Sequence, residues 1–161
     1  MNELAAVAAY ARGGELADPA LIRPVLHPDV VLRSPLSDRV HFTGPDRVLE
    51  VIGAALDAFH GLRHHSEIGA GSTRVLLAHG TVEGVPFDET TVLRLADDGR
   101  IVEIALSIRP LPAAVAVLRA LGGRLLTAQG KPVAGRAVRL ALTPLVGLTR
   151  LADRLAGAVA G

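Results

Sequence analysis

The reading of GTVEGVPFDETTVLRLADDGRIVEIALSIRPL, residues 80–111, decides the fold. Its last portion alternates. Val102, Ile104, Leu106 and Ile108 fall on one side, and Glu103, Ala105, Ser107 and Arg109 on the other. A period of two marks a strand with one buried face. Asp97–Asp98–Gly99 is a turn signal, so 85–96 and 100–110 read as neighbouring antiparallel strands. Upstream, RVLLAHGTVEG (74–84) is another strand, GAGS a turn, and LRHHSEI the core of a strand near 62–69.

Helical spacing governs the earlier part. GPDRVLEVIGAAL opens a helix at about 45–60, with Val48, Val51, Ile52, Ala55, Leu56 and Phe59 at its apolar positions. HPDVVLRSP gives a strand near 29–34 that stops at Pro35. Residues 2–12 form a first helix, broken by Gly13–Gly14–Glu15. Asp18 before Pro19 has the form of an N-cap with proline at the first helical position, so 19–25 is a short second helix. After residue 111 the pattern is helical again. One helix covers 112–121 and Gly122–Gly123 interrupts it. A longer stretch over 133–159 is kinked or split near Thr143 by Pro144. Helices, a strand, a helix and then a meander of strands make an α+β class: a curved antiparallel sheet with helices over one face, and a C-terminal helical extension. The division expected is a body of 1–118 and an extension of 119–161.

The totals exclude several functions. Half of the 161 residues are hydrophobic and only Tyr10, Phe42, Phe59 and Phe87 are aromatic, so the core is aliphatic. Without cysteine there is no disulfide, thiolate or cysteine-based metal chemistry. The six histidines lack HxH or HExxH spacing, and adjacent His64 and His65 point to opposite faces of their strand. One of these two can still serve as an acid or base at a pocket mouth. No metal and no cofactor is expected. GAGSTR (69–74) carries no lysine and opens a strand, so it is a turn and not a phosphate cradle. The N-terminus has no basic start before an apolar run, and no apolar stretch reaches membrane-spanning length; a cytoplasmic location is the default.

Charge is divided along the chain. Residues 1–118 hold 10 Lys/Arg against 15 Asp/Glu, and residues 119–161 hold 7 against Asp153 alone. Nucleic acid is not an expected partner, because the basic residues are dispersed in apolar sequence and aromatics are few. The basic extension, with Leu148, Leu151, Leu155 and Val159 on one face and Arg150 and Arg154 beside it, can pack on its own body, meet a partner protein, lie on an anionic membrane surface or cover a pocket mouth.

Three segments in this order, LHPDVVLRSPLSD, GPDRVLEVIGAAL and the 80–111 stretch, resemble the nuclear transport factor 2-like superfamily, in particular its SnoaL-like branch of polyketide cyclases and ketosteroid isomerases. The resemblance covers about residues 3–115. It implies a cone-shaped sheet around N-terminal helices, an apolar pocket between them and, in many members, a homodimer through the outer sheet face.

It also implies where chemistry would sit. Ketosteroid isomerases place a general-base aspartate at the end of the first strand; the matching residue is Ser34. Their protonated aspartate matches Thr91, and their tyrosine on the first helix is nearest to Tyr10. On this match only one of three groups is present, which argues against steroid-type isomerisation. The limonene epoxide hydrolase relatives need two carboxylates bridged by an arginine, but Arg33, Arg94, Arg109 and Asp88 fall on the outer face. Alternation assigns the pocket wall to Leu32, Leu76, Ala78, Leu93, Ile104, Leu106 and Ile108, with Ser34, Glu89 and Thr91 as its polar members. An inward Glu89 would be desolvated and would serve as general acid or base. Two functions fit these residues. One is binding of a small apolar molecule, with or without a cyclase, isomerase or hydrolase reaction on a polyketide, terpenoid or lipid. The other is a non-catalytic dimeric interaction module that uses the outer sheet face and the basic C-terminal helix.

Overall fold

The computed structural model describes residues 3–35, 39–128 and 130–160; Asn2 of the first expected helix and the end of the 26–38 segment lie outside the described residues. Helix α1 (Glu3–Glu15), helix α2 (Pro19–Ile22) and one 3-10 turn (Arg23–Val25) lead into strand β1 (Leu26–Arg33). A short strand β2 (His41–Thr43), helix α3 (Pro45–Leu56), and strands β3 (Phe59–Ala70), β4 (Thr73–Val82), β5 (Val85–Leu95) and β6 (Ile101–Arg109) follow. Helices α4 (Leu111–Ala128) and α5 (Pro132–Ala160) close the described chain. The class is α+β, as expected, with the sheet order β2-β1-β6-β5-β4-β3. Asp18 caps α2 by accepting a hydrogen bond from the Ala20 amide at 2.9 Å.

The strand faces follow the expected parity with one exception. Buried and open positions alternate along all of β5, and Leu76, Ala78, Gly80 and Val82 of β4 are buried. Val102 departs from the pattern. Leu95 pairs with Ile101 while Arg94 pairs with Glu103, so Val102 is the extra residue of a bulge and Ile101 takes the buried place. Glu83 and Gly84 both have positive φ, 49° and 73°, and connect β4 to β5 as a two-residue hairpin turn.

The sheet is antiparallel, as expected, except at β1, which lies parallel to β6. No hairpin joins these two strands, so nothing local sets their relative direction. Gly13–Gly14 does not break α1. A Cβ on Gly13 would stand 2.5 Å from Ile22 Cγ1, and one on Gly14 would stand 3.3 Å from His64 Cε1. These glycines let α2 and β3 approach the helix. Gly122–Gly123 likewise sits inside a continuous α4, where a Cβ on Gly123 would stand 2.7 Å from Arg139 Cγ of α5. The expected division at residue 118 therefore falls within α4, whose Ala120 and Leu121 share one apolar core with Val117. Nor does Pro144 split α5. It lies exposed, so the carbonyl left without an amide partner can meet water. Phe59, expected at the end of a helix, starts β3.

The core lies between the inner face of the sheet and helices α1, α3 and α4. Val7, Ile22, Val30, Leu32, Val48, Leu93, Ile104 and Ala116 are almost fully buried there.

Candidate functional site

At the end of the sheet where β1 and β6 finish and β5 begins, the core opens into a cavity of about 230 Å3. Helix α1 supplies Tyr10 and Gly14, the sheet supplies Leu32, Phe42, Leu62, Leu106 and Ile108, and α3 supplies Val51, Ile52 and Leu56. Helix α4 closes the wall with Val117, Leu121 and Leu125. The lining is apolar except for a few side chains with polar atoms: Tyr10, Ser34, His64 and Glu89.

Two of these sit in one row across the sheet. His64 pairs with Ala78, Ala78 with Glu89, and Glu89 with Ile108. Two strand spacings put the backbones of His64 and Glu89 about 10 Å apart. The alanine between them leaves their side chains a common space above the sheet. Glu89 is buried, and its Oε1 accepts a 2.7 Å hydrogen bond from the Thr91 hydroxyl. Burial pushes the Glu89 carboxyl above its usual range, and Thr91 only partly offsets this. Tyr10 shares a hydrogen-bonding contact with Thr91 and lies close enough to feel the Glu89 charge. Burial first, and Glu89 second, push its phenol up. Phenol, hydroxyl and carboxyl thus form one cluster in which the protonated forms are favoured.

His64 forms the other pole. Its side chain is only 8% exposed, and neither ring nitrogen has a hydrogen-bond partner among the described residues. The Glu15 carboxylate accepts a hydrogen bond from the His64 backbone amide at 2.9 Å and stays 3.8 Å from Nδ1. Burial pushes the imidazole pKa down, against the pull of Glu15. Burial thus acts against charge at both poles: it favours the neutral imidazole at one and the protonated carboxyl at the other.

Of the residues expected at the site, Tyr10, Ser34, Glu89, Leu32, Leu106 and Ile108 line the cavity. Leu76, Leu93, Ile104 and Thr91 do not and are buried deeper in the core; Ala78 is buried too, in the row between His64 and Glu89, without lining the cavity itself. Parity assigns a face but not a depth. Register supplies the depth: Leu93 and Ile104 pair two rows or more beyond Glu89, toward the closed end of the cone. Thr91 reaches the site only through Glu89 and Tyr10. Tyr10, placed by the resemblance a helical turn from the expected position, is a lining residue. Leu121 and Leu125 of α4 belong to the 119–161 extension, for which covering the pocket mouth is one of the alternatives the sequence leaves open; the two glycines at 122–123 hide that they continue the helix begun at Leu111. His64 was one of two equivalent histidines in the sequence. Leu62, two positions earlier and apolar, carries the signal that separates it from His65. On the opposite face, Glu103 pairs with Arg33 at 2.6 Å and Arg94 at 3.1 Å, and Asp88 with Arg109 at 3.2 Å. The arginines that a hydrolase triad would need are engaged outside the cone.

Comparison with known proteins follows the same outline. A steroid delta-isomerase from Pseudomonas aeruginosa superposes with a TM-score of 0.74 at 26% identity, over 80% of this chain and 95% of that one. An uncharacterised protein with a cystatin-like fold from Silicibacter pomeroyi gives 0.72 at 24% identity, over 76% and 86%. A SnoaL-like candidate polyketide cyclase from Shewanella denitrificans gives 0.55 at 12% identity, over 66% and 90%, a likeness of fold alone. No curated protein matches the chain. The SnoaL-like domain matches residues 5–104, most of the cone and its helices. The chain belongs to the SnoaL-like domain family, with the nuclear transport factor 2-like fold.

Proposed function

We propose that the cavity binds a small apolar carbonyl compound and catalyses its enolisation, the step shared by double-bond isomerisation and aldol-type ring closure. The observation that carries this reading is the cross-strand row in which His64 and the buried Glu89 carboxyl flank Ala78. The carbonyl oxygen accepts hydrogen bonds from the Tyr10–Glu89 cluster, which stabilises negative charge as it develops there. A His64 ring nitrogen takes the proton from the carbon next to the carbonyl. Returning that proton to a different carbon gives an isomer. Attack of the enolate carbon on a second carbonyl forms a carbon–carbon bond and leaves an alkoxide, which takes up the proton. The names of two structural neighbours, a steroid delta-isomerase and a candidate polyketide cyclase, agree with this reaction class.

Size narrows the substrate. An apolar cavity of about 150 Å3 holds benzene. On that scale about 230 Å3 suits one or two rings better than a four-ring steroid. The test is proton exchange. The full chain is incubated in D2O with a panel of monocyclic and bicyclic ketones, and deuterium uptake beside the carbonyl is followed by NMR. His64→Gln should abolish catalysed exchange while ligand binding persists, and Tyr10→Phe should slow it by about 10–1,000-fold. Binding of panel members without exchange in the wild-type chain would refute the reaction. No binding at all would refute the pocket assignment.

A further inference from the structure

Helix α5 has two apolar faces, and only one is covered. Gly135, Val138, Leu142 and Val146 recur at helical spacing and turn toward α4, with Val146 only 4% exposed. Gly122 and Gly123 let the two helices come close: a Cβ on Gly122 would stand 3.4 Å from Val138 Cγ1. The opposite side carries Val133, Leu140, Leu148, Leu151 and Leu155, which are 78%, 74%, 61%, 54% and 60% exposed. Ala137 and Pro144 fill the gaps, also exposed. A helix that needed only to cover its own domain would be polar on that side. From Val133 to Leu155 the stripe runs for about 33 Å.

The arginines are not scattered around this helix. At 3.6 residues per turn Arg136, Arg139, Arg150 and Arg154 all fall on one flank, between the packed face and the exposed stripe. Arg150 donates to the Glu83 backbone carbonyl at 3.3 Å, while Arg136, Arg139 and Arg154 are exposed. Asp153, the only acid of residues 119–161, does not lie on that flank. A second copy of α5 would therefore offer the flank no negative charge. The stripe also lacks the aromatic and methionine anchors that mark protein interfaces. A long, smooth aliphatic line with a cationic border matches a surface that is apolar below and negatively charged at its boundary.

We propose that α5 docks the protein on anionic lipid bilayers, with the Val133–Leu155 stripe in the acyl boundary and the arginine flank at the phosphates. No described helix is long and apolar enough to cross a membrane, so the contact is interfacial. The proposal stands apart from the reaction assigned to the cavity.

The test uses the full chain and vesicles of phosphatidylcholine with and without phosphatidylglycerol, read by co-sedimentation at low and high salt. Each exposed arginine near an anionic surface multiplies partitioning by about five. Phosphatidylglycerol should therefore raise binding by well over tenfold, and salt should reverse much of the gain. Leu148→Glu with Leu151→Glu should abolish binding, and Arg136→Glu with Arg154→Glu should remove the lipid preference. Both pairs are exposed, so far-ultraviolet circular dichroism and thermal melting should match the wild type. Absence of wild-type binding to phosphatidylglycerol vesicles would overturn the proposal. So would binding that ignores either pair, or a dimer without vesicle binding that Leu148→Glu with Leu151→Glu dissociates; the stripe would then be a contact between copies.

Discussion

Replacing Glu89 by glutamine should change how stability depends on pH, in a direction the burial of the carboxyl dictates. Glutamine has nearly the same shape and keeps an oxygen for the 2.7 Å bond from Thr91. In the unfolded chain Glu89 ionises around its ordinary value of 4.5, while burial raises the pKa of the folded carboxyl above that. Between those two values the folded state holds more protons than the unfolded state. Stability therefore falls as pH rises through that window, by about 1.4 kcal/mol per pH unit. For a domain of this length, 1 kcal/mol moves Tm by about 2–4 °C, so each unit corresponds to roughly 3–6 °C. Thermal melts of wild type and Glu89→Gln, taken from pH 4 to 9, isolate the effect as a difference. The variant's advantage should grow from about pH 5 and level off at the pH where the folded carboxyl ionises. His64 works in the opposite sense. Its folded pKa is lowered, so it costs stability as pH falls below its ordinary 6.5, and this contribution largely cancels in the difference. A difference that stays flat from pH 5 to 8 would mean that the carboxyl is solvated, and the buried acid cluster would be lost with it.

Three other measurements probe the same architecture. His64→Asn should flatten the acid side of the wild-type Tm profile below pH 6.5, since it removes a buried base that resists protonation; an unchanged acid limb would place the imidazole in solvent. Gly13→Ala should cost about 1–3 kcal/mol in denaturant unfolding, because the added methyl stands 2.5 Å from Ile22 Cγ1; a cost below about 0.5 kcal/mol would show that α2 gives way freely. Leu93→Ala should cost about 2–5 kcal/mol yet leave ligand affinity within a few fold, whereas Ile108→Trp should abolish ligand binding with a smaller loss of stability; the reverse pattern would move the cavity deeper into the cone.

The two-residue period of 85–95 made the sheet legible, because each side chain on one face is buried and its neighbours are not. What period two cannot carry is distance along the cone. Leu106 and Leu93 share a face in the sequence, but only Leu106 meets the cavity. The bulge at Val102 was hidden as well, since Ile101 and Val102 are equally apolar and only cross-strand pairing tells them apart. Glycine misled the helix boundaries twice. Gly13–Gly14 and Gly122–Gly123 look like breaks, but helices packed against neighbours need small residues at the crossing and tolerate the propensity cost of about 1 kcal/mol each. The site was half readable. Glu89 follows from parity, while His64 depends on knowing that Ala78 separates it from Glu89 on the adjoining strands.

Glu83 is the residue at which the two halves of the chain are fastened. Its carboxylate accepts from Arg119 Nε of α4 at 2.8 Å, and its backbone carbonyl accepts from Arg150 of α5. A single corner of a β-hairpin thus rivets both C-terminal helices to the rim of the cone. Shape and fastening are separable there: asparagine tolerates the positive φ of 49° but has no charge to hold Arg119. A chain with asparagine at this corner would keep its hairpin while the helical pair comes loose from that anchor, and the wall that α4 contributes to the cavity would loosen with it.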